Sequence, residues 1–473
     1  MSPRSTADRS ARTLRQCLAA ALAMLALPGA ALAYCDEPVP AGGPRMGMAD
    51  PARVSIEEMF GSTGQTEAMS QLASLAREAL ARSAEVRTSQ YGELAAREDL
   101  KQAQAGRSPL FTVGGNGGLG QTRSAGQTGA VGIVGVANLG VTAPLYDGGR
   151  IDKITAYRSR LAEASAKGVG AQREAIVAEA VSAVLDRNRF RLQVQVYQQY
   201  AGKLSCLAGS LEKIVAQDRG RASELLQARQ NQRQAEIYRD DAVSALRQAD
   251  IHLRKVVGGN VAPWGGIGAP LLQVPELDSV LAQINTSPAL AQLRLQADAA
   301  DQLALLAEAQ RKPQINWQAG GTTGRASQLT STGWNAGVTL SYTIDDGGAT
   351  AAAASAAAAR ARAAREQLDA VLNERVRQSS AYFEAARNAF QRAAQYAEAL
   401  KDGDQVRNAT FEQWSRLGRR SLFDLMSAEG TYYQMRIQYI NAVHDGFSAN
   451  TLLRSSGSGL LPWIAPEMSP QAR

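Results

Sequence analysis

Residues able to do covalent or metal chemistry are few in this chain, and they are scattered. The two histidines, His252 and His444, stand far apart and away from any cysteine cluster, so they form no metal site of known spacing. No serine elbow and no phosphate-binding Walker loop occurs. Gly115-Asn116-Gly117-Gly118-Leu119-Gly120 spells the G-x-G-x-x-G of dinucleotide sites. The surrounding pattern predicts a β-hairpin with no helix following, so the context that makes those glycines a phosphate cradle is absent. An enzyme is not expected, and neither is a cofactor or a resident metal. What remains is charge gathered around two glycines. One cluster is Asp218-Arg219-Gly220-Arg221-Ala222-Ser223-Glu224; the other is Arg416-Leu417-Gly418-Arg419-Arg420-Ser421-Leu422-Phe423-Asp424. Such charges are either a solvated helix surface or a set of exposed ion pairs, each worth about 0–1 kcal/mol.

The elements around these clusters begin with an export signal. Arg4, Arg9, Arg12 and Arg15 make a basic start, Leu18 to Leu27 is a short apolar run, and Ala31-Leu32-Ala33 is a cleavage signal. Cleavage is expected after Ala33. Loss of four Arg and one Asp would lower the net charge from +7 to +4, a weakly basic balance that does not argue for nucleic acid. Tyr34 precedes Cys35 where a lipid-anchored cysteine needs a small residue, so lipidation is not expected. Cys35 and Cys206 would remain, either paired in an oxidising compartment or as buried thiols. Beyond the signal no apolar run reaches the roughly 18–20 residues of a spanning helix. An exported chain of this kind is periplasmic, secreted or a β-barrel of an outer membrane.

The sequence repeats with a period of about two hundred residues, which is to be read before any local pattern. Ser83-Ala84-Glu85-Val86 answers Ser287-Pro288-Ala289-Leu290. Ala103, Ala105, Arg107 and Pro109 answer Ala307, Ala309, Arg311 and Pro313. Asp147-Gly148-Gly149 answers Asp346-Gly347-Gly348, and Glu224-Leu225-Leu226 answers Asp424-Leu425-Met426. In each copy a proline ends a helical stretch. Two extended segments follow, about 110–120 and 130–145 in the first copy and about 314–321 and 333–344 in the second. Leu139, Val141, Ala143 and Leu145 alternate with polar or small neighbours, as do Val338, Leu340, Tyr342 and Ile344, which is the strand period. Asp-Gly-Gly then predicts a sharp turn, because glycine takes positive φ freely. A proline-free helix follows from 150 to about 216 and from 349 to about 415, each on the order of 100 Å long. A second long helix returns from each charged glycine cluster to Val257 or Leu453. Ala228, Ala235, Ala242, Ala249 and Val256 keep seven-residue spacing, as do Ala428, Met435, Ala442 and Ala449, which predicts a coiled-coil seam.

This duplicated order resembles the TolC family of outer-membrane efflux and secretion channels over roughly residues 70 to 455. The local match lies at Pro144-Leu145-Tyr146-Asp147-Gly148-Gly149-Arg150, which looks like the family's strand-to-helix junction. The second junction keeps Asp346-Gly347-Gly348 but lacks the proline. The resemblance implies a mixed α and β fold: a homotrimer with a shared twelve-stranded transmembrane barrel in the outer membrane and an antiparallel coiled-coil tunnel in the periplasm. It implies tips at Gly220, Arg221, Gly418 and Arg419 that dock a periplasmic adaptor (membrane fusion) protein. It implies a gate in which Arg420 pairs with Glu224 and Asp424 rings the aperture, with Ser427 where the family carries a second acid. The partners so implied are an inner-membrane ABC transporter or a resistance-nodulation-division pump, together with outer-membrane lipids. The expected role is a passive exit duct for type I secretion of a large protein, with drug or metal efflux as the alternative. A periplasmic structural coiled coil is the alternative of another class. The expected division is 1–33 signal, 34–66 irregular arm, 67–258 first repeat, 259–284 linker, 285–455 second repeat and 456–473 tail.

Overall fold

The computed structural model describes residues 65–120, 123–124, 127–128, 131–258, 267–326, 329–415 and 419–468. The expected signal segment, nearly all of the arm, Cys35, Gly418 and the first part of the linker lie outside the described residues. Helices α1 (Gln65–Arg82) and α2 (Ala84–Ala105) lead into strands β1 (Leu110–Gly120) and β2 (Gly132–Tyr146). Helix α3 (Arg150–Val215) runs out from the sheet and α4 (Ala222–Val257) runs back. The second copy follows a short α5 (Leu277–Ile284): α6 (Pro288–Ala309), β3 (Gln314–Ala326), β4 (Leu329–Ser341), α7 (Ala349–Ser415) and α8 (Leu422–Ser456). A four-residue α9 (Leu461–Ile464) and a 3-10 turn, Pro466–Met468, close the described chain. Among the described residues no helix is long and apolar enough to cross a membrane.

The duplication extends to single atoms. Ser83 caps α2 by accepting the Val86 N–H at 3.1 Å, and Ser287 caps α6 by accepting the Leu290 N–H at 3.4 Å. Gly148 and Gly149 have φ of 66° and 86°; Gly347 and Gly348 have 67° and 85°. Asp147 accepts the N–H groups of Gly149 and Ile151 at 2.9 and 2.5 Å. Asp346 does the same for Gly348 and Thr350 at 3.1 and 2.8 Å. Each Asp-Gly-Gly thus turns the chain out of a strand and caps the long helix that follows, using left-handed backbone that a side chain resists. Hydrogen bonds from the Thr350 side chain and backbone hold the Asp346 carboxyl below its usual range.

These four strands form one antiparallel sheet in the order β1-β2-β3-β4, so the two repeats meet at the β2–β3 ladder; Arg123–Ser124 and Gln127–Thr128 pair separately between β1 and β2. Three differences from the sequence reading arise here. The register slips between Pro144 and Tyr146, so Leu145 sits in a bulge. Strand β4 ends at Ser341, leaving Tyr342 and Ile344 in the connection to the junction. β3 runs five residues past the expected end, because its glycines and threonines pair with β4 as readily as apolar residues do.

The helices pack as two hairpins, α3 with α4 and α7 with α8. In α4 the alanine seam is buried throughout, which lets the backbones approach closely. In α8 the seam is only half true: Ala442 and Ala449 are buried, while Ala428 and Met435 are partly exposed. The cause is that α8 is covered on several sides, by α7, α3 and the short connecting elements. Its buried set includes Tyr432, Tyr433, Tyr439 and Phe447, which join Leu72, Val181, Val184 and Ile267 in the main core. Asn450 ties α8 to the chain before α5 by donating to the Leu271 and Gln273 carbonyls. His444 is held neutral within this core: burial, then Arg189 and Arg191, pull its pKa down to about 3. Cys206 on α3 is disulfide-bonded, so it is not a free thiol.

Candidate functional site

The charged clusters fall at the far ends of the two hairpins. At the first tip a single 3-10 turn, Arg219–Arg221, joins α3 to α4, and Asp218 caps it by accepting the Gly220 N–H at 2.9 Å. Glu224 lies in the first turn of α4, where a carboxylate suits the helix N-terminus. Its ion-pair partner is Arg221 on the same helix end, 3.8 Å away. At the second tip the Arg419 N–H donates to the Gln413 carbonyl, and the Arg420 guanidinium donates to the Gln413 side chain at 3.1 Å.

Asp424 is committed to a capping box. Its carboxylate accepts the Ser421 N–H at 3.1 Å and the Ser421 hydroxyl at 2.9 Å, while Ser421 Oγ accepts the Asp424 N–H at 3.2 Å. These bonds from Ser421, with help from Arg420, hold the Asp424 carboxyl below its usual range, so it is an anion at neutral pH. Ser427 follows one helical turn later and is exposed, so the two side chains share a face. Arg420 and Glu224 form no ion pair within the chain among the described residues. The structure brings Arg420, Ser421 and Asp424 together and leaves Glu224 with Arg221. Gly220 has no positive φ, so the tip does not require glycine for its backbone.

The repeats differ in what covers the tips. Leu425 and Met426 are buried against Leu204, Leu207 and Leu211 of α3. In the first repeat Leu225 is partly buried against the same cluster, but Leu226, the counterpart of Met426, is 65 % exposed; in the second, Phe423 is 69 % exposed. These two apolar side chains at the charged ends escaped the sequence reading, although the Ser-x-x-Asp spacing that makes the capping box was readable. A second feature behind the tip was also missed. Glu429 is 1 % exposed within the apolar run of α8. Arg407 of α7 lies 3.9 Å from it, bonds Asp404 at 2.8 Å and covers the Tyr432 ring at 4.4 Å. An acid surrounded by Leu425, Met426, Tyr432 and Tyr433 was the available signal.

The sheet carries the other functional surface. Ladder register places Phe111, Val113 and Leu119 of β1, Ile133, Leu139 and Val141 of β2, Ile315 and Trp317 of β3, and Trp334, Val338 and Leu340 of β4 on one face. Many of these side chains are well exposed in the single chain, which is an apolar patch that water does not favour. Strands β1 and β4 are both edges. Among the described residues no group of histidine, cysteine and carboxylate side chains is arranged to hold a metal.

Comparison with known proteins agrees with this geometry. Residues 282–456, which span the second repeat, match the family model described as "Outer membrane efflux protein". No curated protein matches by sequence. Among solved structures, VceC of Vibrio cholerae shares 17 % identity at a TM-score of 0.70, covering 82 % of this chain and 96 % of that one. The CmeC outer membrane channel of Campylobacter jejuni shares 13 % at 0.72, covering 85 % and 90 %. CusC, described for its folding and transmembrane channel formation, shares 17 % at 0.71, covering 82 % and 92 %.

Proposed function

We propose that this chain, whose residues 282–456 match the outer membrane efflux protein family model and whose fold is like that of solved outer-membrane channels, is the outer-membrane exit duct of an export system. It is a passive channel and not an enzyme. The observation that carries the reading is the two-faced sheet, apolar on one side and open at both edges, joined by paired Asp-Gly-Gly junctions to helices of 66 and 67 residues. A lipid bilayer tolerates no open sheet edge. Three copies joined β4 to β1 close a twelve-stranded barrel with the apolar face to lipid. At about 1.5 Å per residue the helices then extend roughly 100 Å into the periplasm. Ile237 and Ile251, exposed on α4, give the neighbouring copies an apolar surface to cover.

The tips make the aperture in this reading. Gly220, Arg221, Gly418 and Arg419 meet a periplasmic adaptor protein, with Phe423 and Leu226 as its apolar footing. Asp424 and Ser427 line the constriction. Because Arg420 holds Gln413 and Glu224 holds Arg221 within the chain, any Arg420–Glu224 contact forms between copies and is exposed. Such pairs contribute about 0–1 kcal/mol each, weak enough for differential binding of an adaptor to displace. Arg420→Ala should therefore raise the conductance of the purified trimer in a planar bilayer. Unchanged conductance would remove Arg420 from the gate.

For the cargo, the reading is type I secretion of a large protein, driven by an inner-membrane ABC transporter. Its support is Tyr34 before Cys35, where the lipid-anchored start that many pump-linked efflux channels carry has a small residue. Efflux of small molecules with a resistance-nodulation-division pump is the second reading, favoured by the family's description. Mass spectrometry of the culture medium separates the two. Deletion of the gene should remove one or a few large proteins, whereas an unchanged set of secreted proteins would transfer the role to drug or metal efflux.

A further inference from the structure

The face of the sheet opposite the apolar one has its own composition. Register places Asn138 and Thr142 of β2, Asn316 and Gln318 of β3, and Asn335 and Thr339 of β4 on it. Among the described residues of the four strands the single charged side chain is Arg325. It stands in register with Gly135 and Thr330, two-residue steps from Trp317, and so lies on the apolar face. Among the described residues of these strands the opposite face holds amides, hydroxyls, glycines and a few aliphatics such as Val134 and Val136, with no ionisable group.

This face is also smooth. A Cβ added at Gly114 would lie 2.8 Å from the Asn138 side-chain oxygen, and one at Gly120 would lie 2.9 Å from a Val134 methyl. Asn138 and Val134 therefore lean across the neighbouring strand where it has no side chain. Thr142 donates its hydroxyl to the Trp317 carbonyl at 3.2 Å, which holds that side chain against the wall.

From these observations, and resting on the exit-duct reading, we infer that the barrel lumen is charge-blind: cationic, anionic and neutral cargo meet the same wall, and no selection by sign is made in this part of the duct. A ring of one sign in a low-dielectric wall changes the local concentration of a charged solute by roughly 10-fold to 1,000-fold. Amides carry both donors and acceptors, and hydroxyls do too, so they solvate either sign. The cargo is therefore chosen by the partner pump and the aperture, and the barrel adds only a limit on size.

The test places single cysteines at lumenal positions, Asn335→Cys and Gln318→Cys, in the full trimer. The native Cys206 is disulfide-bonded and does not compete. Each thiol is reacted with an anionic sulfonate-bearing and a cationic trimethylammonium-bearing methanethiosulfonate, with rates normalised to a small thiol in solution. The expected cation-to-anion ratio is within about threefold of one, and a larger bias in either direction overturns the inference, since charged clefts bias by tenfold or more. Adding Asn138→Asp to the Asn335→Cys chain should move the ratio toward the cation by about tenfold, which shows that the assay senses a charge in the lumen. Thiols that react with neither reagent in a trimer intact on a gel would mean a wall not lined by water. That outcome sinks the exit-duct reading itself, and the charge-blind lumen with it.

Discussion

Arg407→Leu is expected to destabilise the α7–α8 hairpin by about 3–5 kcal/mol, because it takes the Arg407 cation away from the buried Glu429 carboxylate. Burial alone would depress the Arg407 pKa, but Glu429, then Tyr432 and Asp404, hold it above the ordinary arginine value. Nearby Tyr200 is pushed up to about 12 by burial and by the same Glu429 charge. The guanidinium thus neutralises the carboxylate, bonds Asp404 and covers the Tyr432 ring at once. Arg407→Leu combined with Glu429→Leu should recover most of the loss, since a buried pair replaced by apolar groups is often near neutral. Denaturant unfolding of the detergent-solubilised trimer reads both variants. A double variant as unstable as the sum of the single ones would show that the two side chains are not coupled.

The second large effect is expected at the first junction. Gly148→Ala meets two costs: left-handed backbone at φ 66°, worth roughly 1–2 kcal/mol, and a new methyl group pressed against the Lys312 stem. The added Cβ would stand 2.6 Å from Lys312 Cβ, which is anchored to the backbone and cannot swing aside. At Gly347, with φ 67°, the backbone cost is the same, but among the described residues no atom beyond its chain neighbours lies within 4 Å of the added Cβ. Gly148→Ala should therefore lower stability by about 1–3 kcal/mol more than Gly347→Ala, the usual cost of overpacking. The temperature at which each trimer dissociates on a detergent gel measures this. Equal losses would mean that a neighbouring copy fills the space at Gly347.

Most of the architecture was legible because the chain states it twice. Asp-Gly-Gly at 147–149 and 346–348 marks the same capped turn, and the helix that each introduces ends within a residue of where the sequence places it. Strand ends were less legible. Tyr342 and Ile344 continue the apolar alternation beyond β4, but alternation reports a side chain's preference for a face and not the last hydrogen bond of a ladder. The tips were legible only in part. Charge around a glycine located them, yet the pairings depend on which helix end each side chain can reach: Glu224 reaches Arg221, and Asp424 reaches Ser421. The Glu429–Arg407 contact joins two helices whose register no local pattern fixes, so it became visible only in three dimensions.

The capping box at the second tip bears on how this mouth can be redesigned. The Asp424 carboxylate that supplies negative charge is the same group that secures the start of α8, so removing the charge also loosens the helix that carries it. Ser427, one turn further on and exposed, carries no such double duty. With the tips as the proposed aperture, an acid or a base installed there would alter the field at the mouth without fraying the scaffold, which makes Ser427 the position at which an engineer can set ionic preference independently of folding.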